Sequence, residues 1–113
     1  MRFAYADPPY LGMGAKMYGF PEWDVPERQL ELLASLSEYD GWAMSTHVPG
    51  LRVLLPACDE KVRICAWVKG WASWKPGVSP AYGWEPLLLK PLGSAPRFKV
   101  RDWVNASATT NRE

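Results

Sequence analysis

Near its amino terminus the chain reads ADPPYLGMG, and Asp7, Pro8, Pro9 and Tyr10 set a carboxylate, two donor-free proline residues and a phenol side by side. A carboxylate accepts hydrogen bonds and offsets positive charge. A proline carbonyl stays available as an acceptor while the ring fixes the backbone, and a tyrosine offers a flat face for stacking. The plainer alternative is a strand-ending turn with a surface tyrosine. A second set lies in WVKGWASWKPG, where Lys69, Trp71, Trp74 and Lys75 interleave charge with aromatic rings. Such a pattern suits phosphate contact and base stacking, and equally suits tryptophans that cover a core. Lys16 adds a basic residue to the loop after Tyr10. Gly12 and Gly14 invite a dinucleotide-binding loop, but the third glycine of G-x-G-x-x-G would fall at Met17, and no helix starts before about residue 25. That reading fails.

These groups need elements to hold them. Residues 2–6 form a short apolar run stopped by Asp-Pro-Pro, as expected of a buried strand. The glycine- and proline-rich stretch 11–23 predicts a loop. A helix follows, with Asp24 as its cap, Pro26 in its first turn and Glu27 completing a capping box. Arg28, Glu31, Ser35 and Glu38 face outward on helical spacing, which leaves Leu30, Leu33 and Leu36 for the core, and Gly41 ends the helix. Residues 41–46 predict a second strand, 49–58 a short helix, and 62–68 a third strand rich in β-branched and aromatic residues. Residues 69–83 predict a long loop of the kind that is functional in small domains. Residues 84–90 (WEPLLLK) predict a further strand, with Pro86 marking an edge or a bulge. His47, just past the second strand, could face the same end of the sheet or serve as a cap. Residues 105–113 have the composition of a frayed tail.

Composition sets the bounds. A chain of 113 residues, 48% hydrophobic, is one domain without a membrane-spanning run or a secretory leader, which predicts a cytoplasmic protein. Cys58 and Cys65 form no CxxC, so buried reduced thiols are expected and a zinc site is not. The net charge of +1 conceals an asymmetry: residues 1–60 hold nine acids against four bases, and residues 61–113 nine bases against three acids. A basic carboxy-terminal half, including RFKVR at 97–101, is compatible with a nucleic-acid partner.

Strand, DPPY, loop, helix, strand, helix, strand, loop, strand over residues 2–92 resembles the S-adenosylmethionine-dependent methyltransferases that modify exocyclic amines in nucleic acid. The resemblance implies a Rossmann-like α/β sheet, mostly parallel, with WEPLLLK as an antiparallel edge strand. It implies that the Asp7 carboxylate and the Pro8 carbonyl hold the target amine beside the cofactor methyl, that Pro9 fixes the turn, and that Tyr10 stacks on a base flipped from DNA. Aspartate at the first position is similar to the adenine N6-modifying members.

The family's glycine-rich F-x-G-x-G loop has no counterpart in these 113 residues. The chain therefore resembles the DPPY-first half of a permuted methyltransferase, one partial domain whose cofactor half would come from further sequence, a partner chain or a second copy. The alternative is a noncatalytic remnant that binds nucleic acid or a protein through residues 69–84.

Overall fold

The computed structural model describes residues 1–93 and 99–105. Its regular elements are β1 (Phe3–Ala6), α1 (Pro26–Ser35), β2 (Gly41–Ser45), α2 (Leu51–Leu54), β3 (Arg63–Ser73), β4 (Tyr82–Lys90) and β5 (Trp103–Asn105). They form a mixed α/β fold around a five-stranded sheet in the order β1-β2-β4-β3-β5. β1 pairs with β2 in parallel, as β3 does with β5, while β4 is antiparallel to both β2 and β3. Among the described residues, four strands thus share one direction and β4 opposes them.

The core lies on one face of the sheet. Ala4 and Ala6 of β1, Trp42 and Met44 of β2 and Leu88 of β4 meet Leu33 of α1, Leu36 just after it, and Leu54 of α2. Spacing of two along each strand and of three or four along α1 brings these side chains together. Met44 and Leu88 are fully buried and paired across β2 and β4, each contributing about 2 kcal/mol of burial. No helix among the described residues is long and apolar enough to cross a membrane.

The opposite face is bare. Phe3, Tyr5, Trp67 and Val104 stay exposed, and a groove of about 380 Å³ lined by Tyr5, Ser45, Trp67, Leu87 and Val104 crosses it. β1, at one end of the strand order, also has an unpaired outer edge among the described residues.

Several expectations need correction. β4 is interior, not an edge strand. Its Pro86 is tolerated because that residue's carbonyl faces β2, where it accepts from the Thr46 N–H at 3.2 Å, and the donor it lacks would point the same way just past the last β2 pairing, Ser45 with Leu87. The stretch 69–83 is not one loop: β3 runs on to Ser73 and β4 begins at Tyr82, leaving only residues 74–81 between them. Gly70, at φ +77°, permits the register shift that lets β3 continue. Asp24 does not cap α1, whose N-cap is Val25 without a side-chain bond. Gly41 does not end α1 but opens β2, where a Cβ would meet the Lys90 carbonyl at 2.9 Å. Cys58 and Cys65 are free but only half-buried. Asn105, assigned to the tail, closes β5, and residues 106–113 lie outside the described residues.

Candidate functional site

The strand ends assemble a cleft. β1 and β2 stop at Ala6 and Ser45, and Ser45 stands level with Leu87 of β4 and Cys65 of β3. Beyond that level the paired β3 and β4 continue as an arm, flanked by β5 as far as Val68. The arm, the turn after β1 and the loop that follows it enclose a cleft of about 710 Å³, within the roughly 300–1,000 Å³ range of ligand pockets. Asp7, Pro8, Pro9 and Tyr10 line it from the turn, His47 from the end of β2, and Lys75, Tyr82, Trp84 and Glu85 from the arm and its tip.

Within the turn, acceptors divide into two kinds. The Pro9 carbonyl accepts from Gln29 Nε2 at 2.8 Å, and the Tyr10 carbonyl accepts from the Met13 N–H at 2.7 Å. The Pro8 carbonyl and the Asp7 carboxylate receive no hydrogen bond from any described residue. Pro8 is buried and Asp7 exposed. The turn therefore holds two adjacent acceptors without a hydrogen-bond partner among the described residues.

Gln29 braces the turn. It lies four residues before Leu33 on the buried stripe of α1, is 2% exposed, and donates to both Pro9 O and Trp23 O. One amide thus ties α1 to the turn and to the far end of the loop. The loop itself is held by Asp24, whose carboxylate accepts from the Gly14 and Ala15 N–H groups at 2.7 and 3.2 Å. Those bonds hold its carboxyl below the usual aspartate range. They also close the π-helical turn Gly14–Tyr18, from which Met17 and Tyr18 meet the cleft with Phe20 from beyond it, all three more than half exposed.

On the other wall the charges satisfy one another. Tyr10 donates its hydroxyl to Glu85 Oε1 at 2.7 Å, and Lys69 Nζ donates to Glu85 Oε2 at 2.6 Å. Lys69 is buried, its ammonium 4.0 Å from the Trp67 ring centre and 5.1 Å from that of Trp71. Burial first, then the bond and charge of Glu85, raise the Tyr10 phenol so far that it stays protonated at any physiological pH. The His47 ring lies 5.2 Å from that of Tyr10 at 33°. Its Nδ1 accepts from the Gly50 N–H, and burial lowers the imidazole below its ordinary value, so it is neutral at pH 7. His47 is thus both the cap of the segment after β2 and a wall of the cleft.

Lys75 joins Asp7, Pro8, Pro9 and Tyr10 in the cleft, whereas Lys16, Trp71 and Trp74 lie outside its lining. Trp74 is 82% exposed near the tip of the arm, Lys16 is exposed on the loop, and Lys69 is turned inward to Glu85. The sequence reading misses Gln29 and Glu85. Each carries a signal: a polar residue on the apolar stripe of a helix, and a single charge in an otherwise apolar strand core. No protein-family model and no curated protein matches this sequence.

Proposed function

We propose that the chain carries the amine-binding part of an S-adenosylmethionine-dependent DNA adenine N6-methyltransferase. The observation that supports this most is that the Asp7 carboxylate and the Pro8 carbonyl have no hydrogen-bond partner among the described residues, while both residues line a cleft with Tyr10, Trp23 and Trp84. An adenine amine is a poor nucleophile because its lone pair is conjugated into the ring. Two acceptors, one on each amine hydrogen, draw the nitrogen out of that conjugation and aim its lone pair away from the ring. Asp7 also stabilises the positive charge that grows on nitrogen as a bond to carbon forms. Tyr10, Trp23 and Trp84 supply stacking faces for a base taken out of its duplex, and Lys75 supplies charge for a flanking phosphate.

S-adenosylmethionine supplies an electrophilic methyl group when bound. Asp7 fits the positive end of such a cofactor, but the described residues offer no F-x-G-x-G loop for the remainder. The free edge of β1 and the bare sheet face are where a completing half, from further sequence or another chain, would dock. A second reading, a noncatalytic remnant that grips nucleic acid by its arm, draws on the exposure of Trp74 beside Lys75. It requires nothing of Asp7.

Titration of the chain with adenosine and with N6,N6-dimethyladenosine, followed by tryptophan fluorescence, separates these readings. Adenosine is expected to bind roughly tenfold more tightly, and Asp7→Ala to erase the difference, because only the free amine can donate to both acceptors. Equal affinity of the wild-type chain for the two nucleosides contradicts the proposal.

A further inference from the structure

We infer that Glu85 is a positioning residue for the base-stacking ring of Tyr10, held in place by Lys69. This rests on the reading of Tyr10 as a stacking platform. Glu85 reaches Tyr10 from the arm, 75 residues away in sequence, and each of its oxygens has its own partner: Tyr10 Oη at 2.7 Å and Lys69 Nζ at 2.6 Å. No other hydrogen bond among the described residues joins residues 7–10 to the arm.

The cost of this arrangement points to a purpose beyond joining strands. β3 and β4 are already paired from Arg63 with Leu89 to Val68 with Trp84, so the ion pair is not needed to hold the arm together. Its side chains are only 11% and 29% exposed, and two charges so far from water lose much of their hydration. Lys69 would be better hydrated facing solvent, yet it lies between Trp67 and Trp71 with its ammonium aimed at Glu85. What the pair adds is a rigid acceptor above Tyr10. A tyrosine ring turns about two side-chain torsions. The hydroxyl bond fixes the tip of the ring and the His47 contact limits its tilt, so its plane is set before a base arrives. Pre-setting a side chain removes an ordering cost from binding. Lys69 also balances the Glu85 charge in a cleft that Asp7 lines as well.

Two readouts test this. In chain carrying ring-carbon-labelled tyrosine, the Tyr10 resonance is assigned by its absence in Tyr10→Phe and followed through alkaline titration by NMR. Burial, then the hydrogen bond and charge of Glu85, with Asp7 and Tyr5 behind them, hold back ionisation of this phenol; His47, neutral at alkaline pH, and Lys75 line the same cleft, and Lys69 pairs with Glu85. The wild-type phenol is expected to stay protonated to the alkaline end of the titration, while Glu85→Gln, which keeps shape and an acceptor oxygen but drops the charge, and Glu85→Leu, which drops the bond as well, are each expected to bring its ionisation down toward the ordinary tyrosine value. An unchanged titration in both variants overturns the tether, whatever the cleft binds.

The second readout is quenching of 2-aminopurine riboside on stacking. Glu85→Leu and Tyr10→Phe are each expected to weaken binding about three- to tenfold, the double variant no more than either alone, and Glu85→Gln to recover part of the loss. Additive losses in the double variant, or full affinity in Tyr10→Phe, overturn the positioning role. A shifted phenol titration without any quenching in the wild-type chain refutes the base-binding reading and the stacking role with it, while leaving the tether itself measured. Tyr10→Phe removes one oxygen from a half-buried loop side chain, so it keeps the test available should a Glu85 variant fail to fold.

Discussion

The two walls of the cleft are built on opposite principles. The turn after β1 takes its shape from its own prolines and from Gln29, and leaves the Asp7 carboxylate and the Pro8 carbonyl without partners among the described residues. The arm of β3 and β4 takes its shape from long-range pairing, and its charges, buried Lys69 and half-buried Glu85, are matched inside the protein. On the proposed reading, the groups that act on a ligand are kept free and the groups that hold another side chain are kept occupied. The difference separates candidate reacting groups from supports without any appeal to motif.

The largest effect that could break this contrast is on chemistry. In any assembly where the chain transfers a methyl group, Asp7→Ala is expected to lower the rate at least about a hundredfold while leaving the fold intact, the scale of losing a preorganised charged group. Mass spectrometry of digested DNA reads the product, and wild-type rates would place Asp7 among the supports. Next comes Gln29→Leu, which preserves volume on the α1 stripe but strips the Pro9 and Trp23 carbonyls of their donor. About 1–2 kcal/mol of stability should go, measured as a shift in the urea midpoint, since two half-buried acceptors are left unpaired. No shift would mean that the turn is held by its prolines alone.

A smaller effect concerns His47, whose folded value is lowered from 6.5 chiefly by burial. Below pH 6.5 the unfolded chain takes up a proton that the folded chain resists. Stability should therefore fall as pH drops from 6.5 toward the folded value, and be unaffected by this group above it. His47→Asn, which keeps an acceptor for the Gly50 N–H, should flatten that decline in thermal melts from pH 7 to pH 5.5. Parallel declines would assign the pH dependence to other groups. The smallest effect is expected at the cleft mouth, where Lys75→Ala should reduce the salt slope of oligonucleotide binding by about one, the change for a single phosphate contact. An identical slope would remove Lys75 from the interface.

How far the sequence could be read follows the same division. The turn was legible because prolines act locally: they end a strand and fix the next residues wherever they occur. β1, β2 and the leucine stripe of α1 were legible for a similar reason, since short apolar runs and helical spacing need no knowledge of partners. The arm was not. Gly70, Gly77 and two prolines between β3 and β4 look like loop punctuation, and only the pairing of Trp67 with Glu85 and of Ser73 with Tyr82 reveals a strand bent at Gly70. Asp24 shows how a sound local rule can lose: its carboxylate satisfies Gly14 and Ala15, ten and nine residues back, in place of the helix it precedes. Lys69 was legible as a basic residue among tryptophans, but its inward turn depends on Glu85, sixteen positions later.

If Asp7 and the Pro8 carbonyl receive an exocyclic amine, the amine protons themselves must report it. Proton NMR on adenosine labelled with nitrogen-15 at N6 observes that amine directly. On binding to the wild-type chain, both amine protons are expected to shift downfield and exchange more slowly with water, and the Asp7→Ala chain should leave one of them unmoved. Amine protons that keep their free-solution shifts in a nucleoside shown by its ring protons to be bound would contradict the proposal.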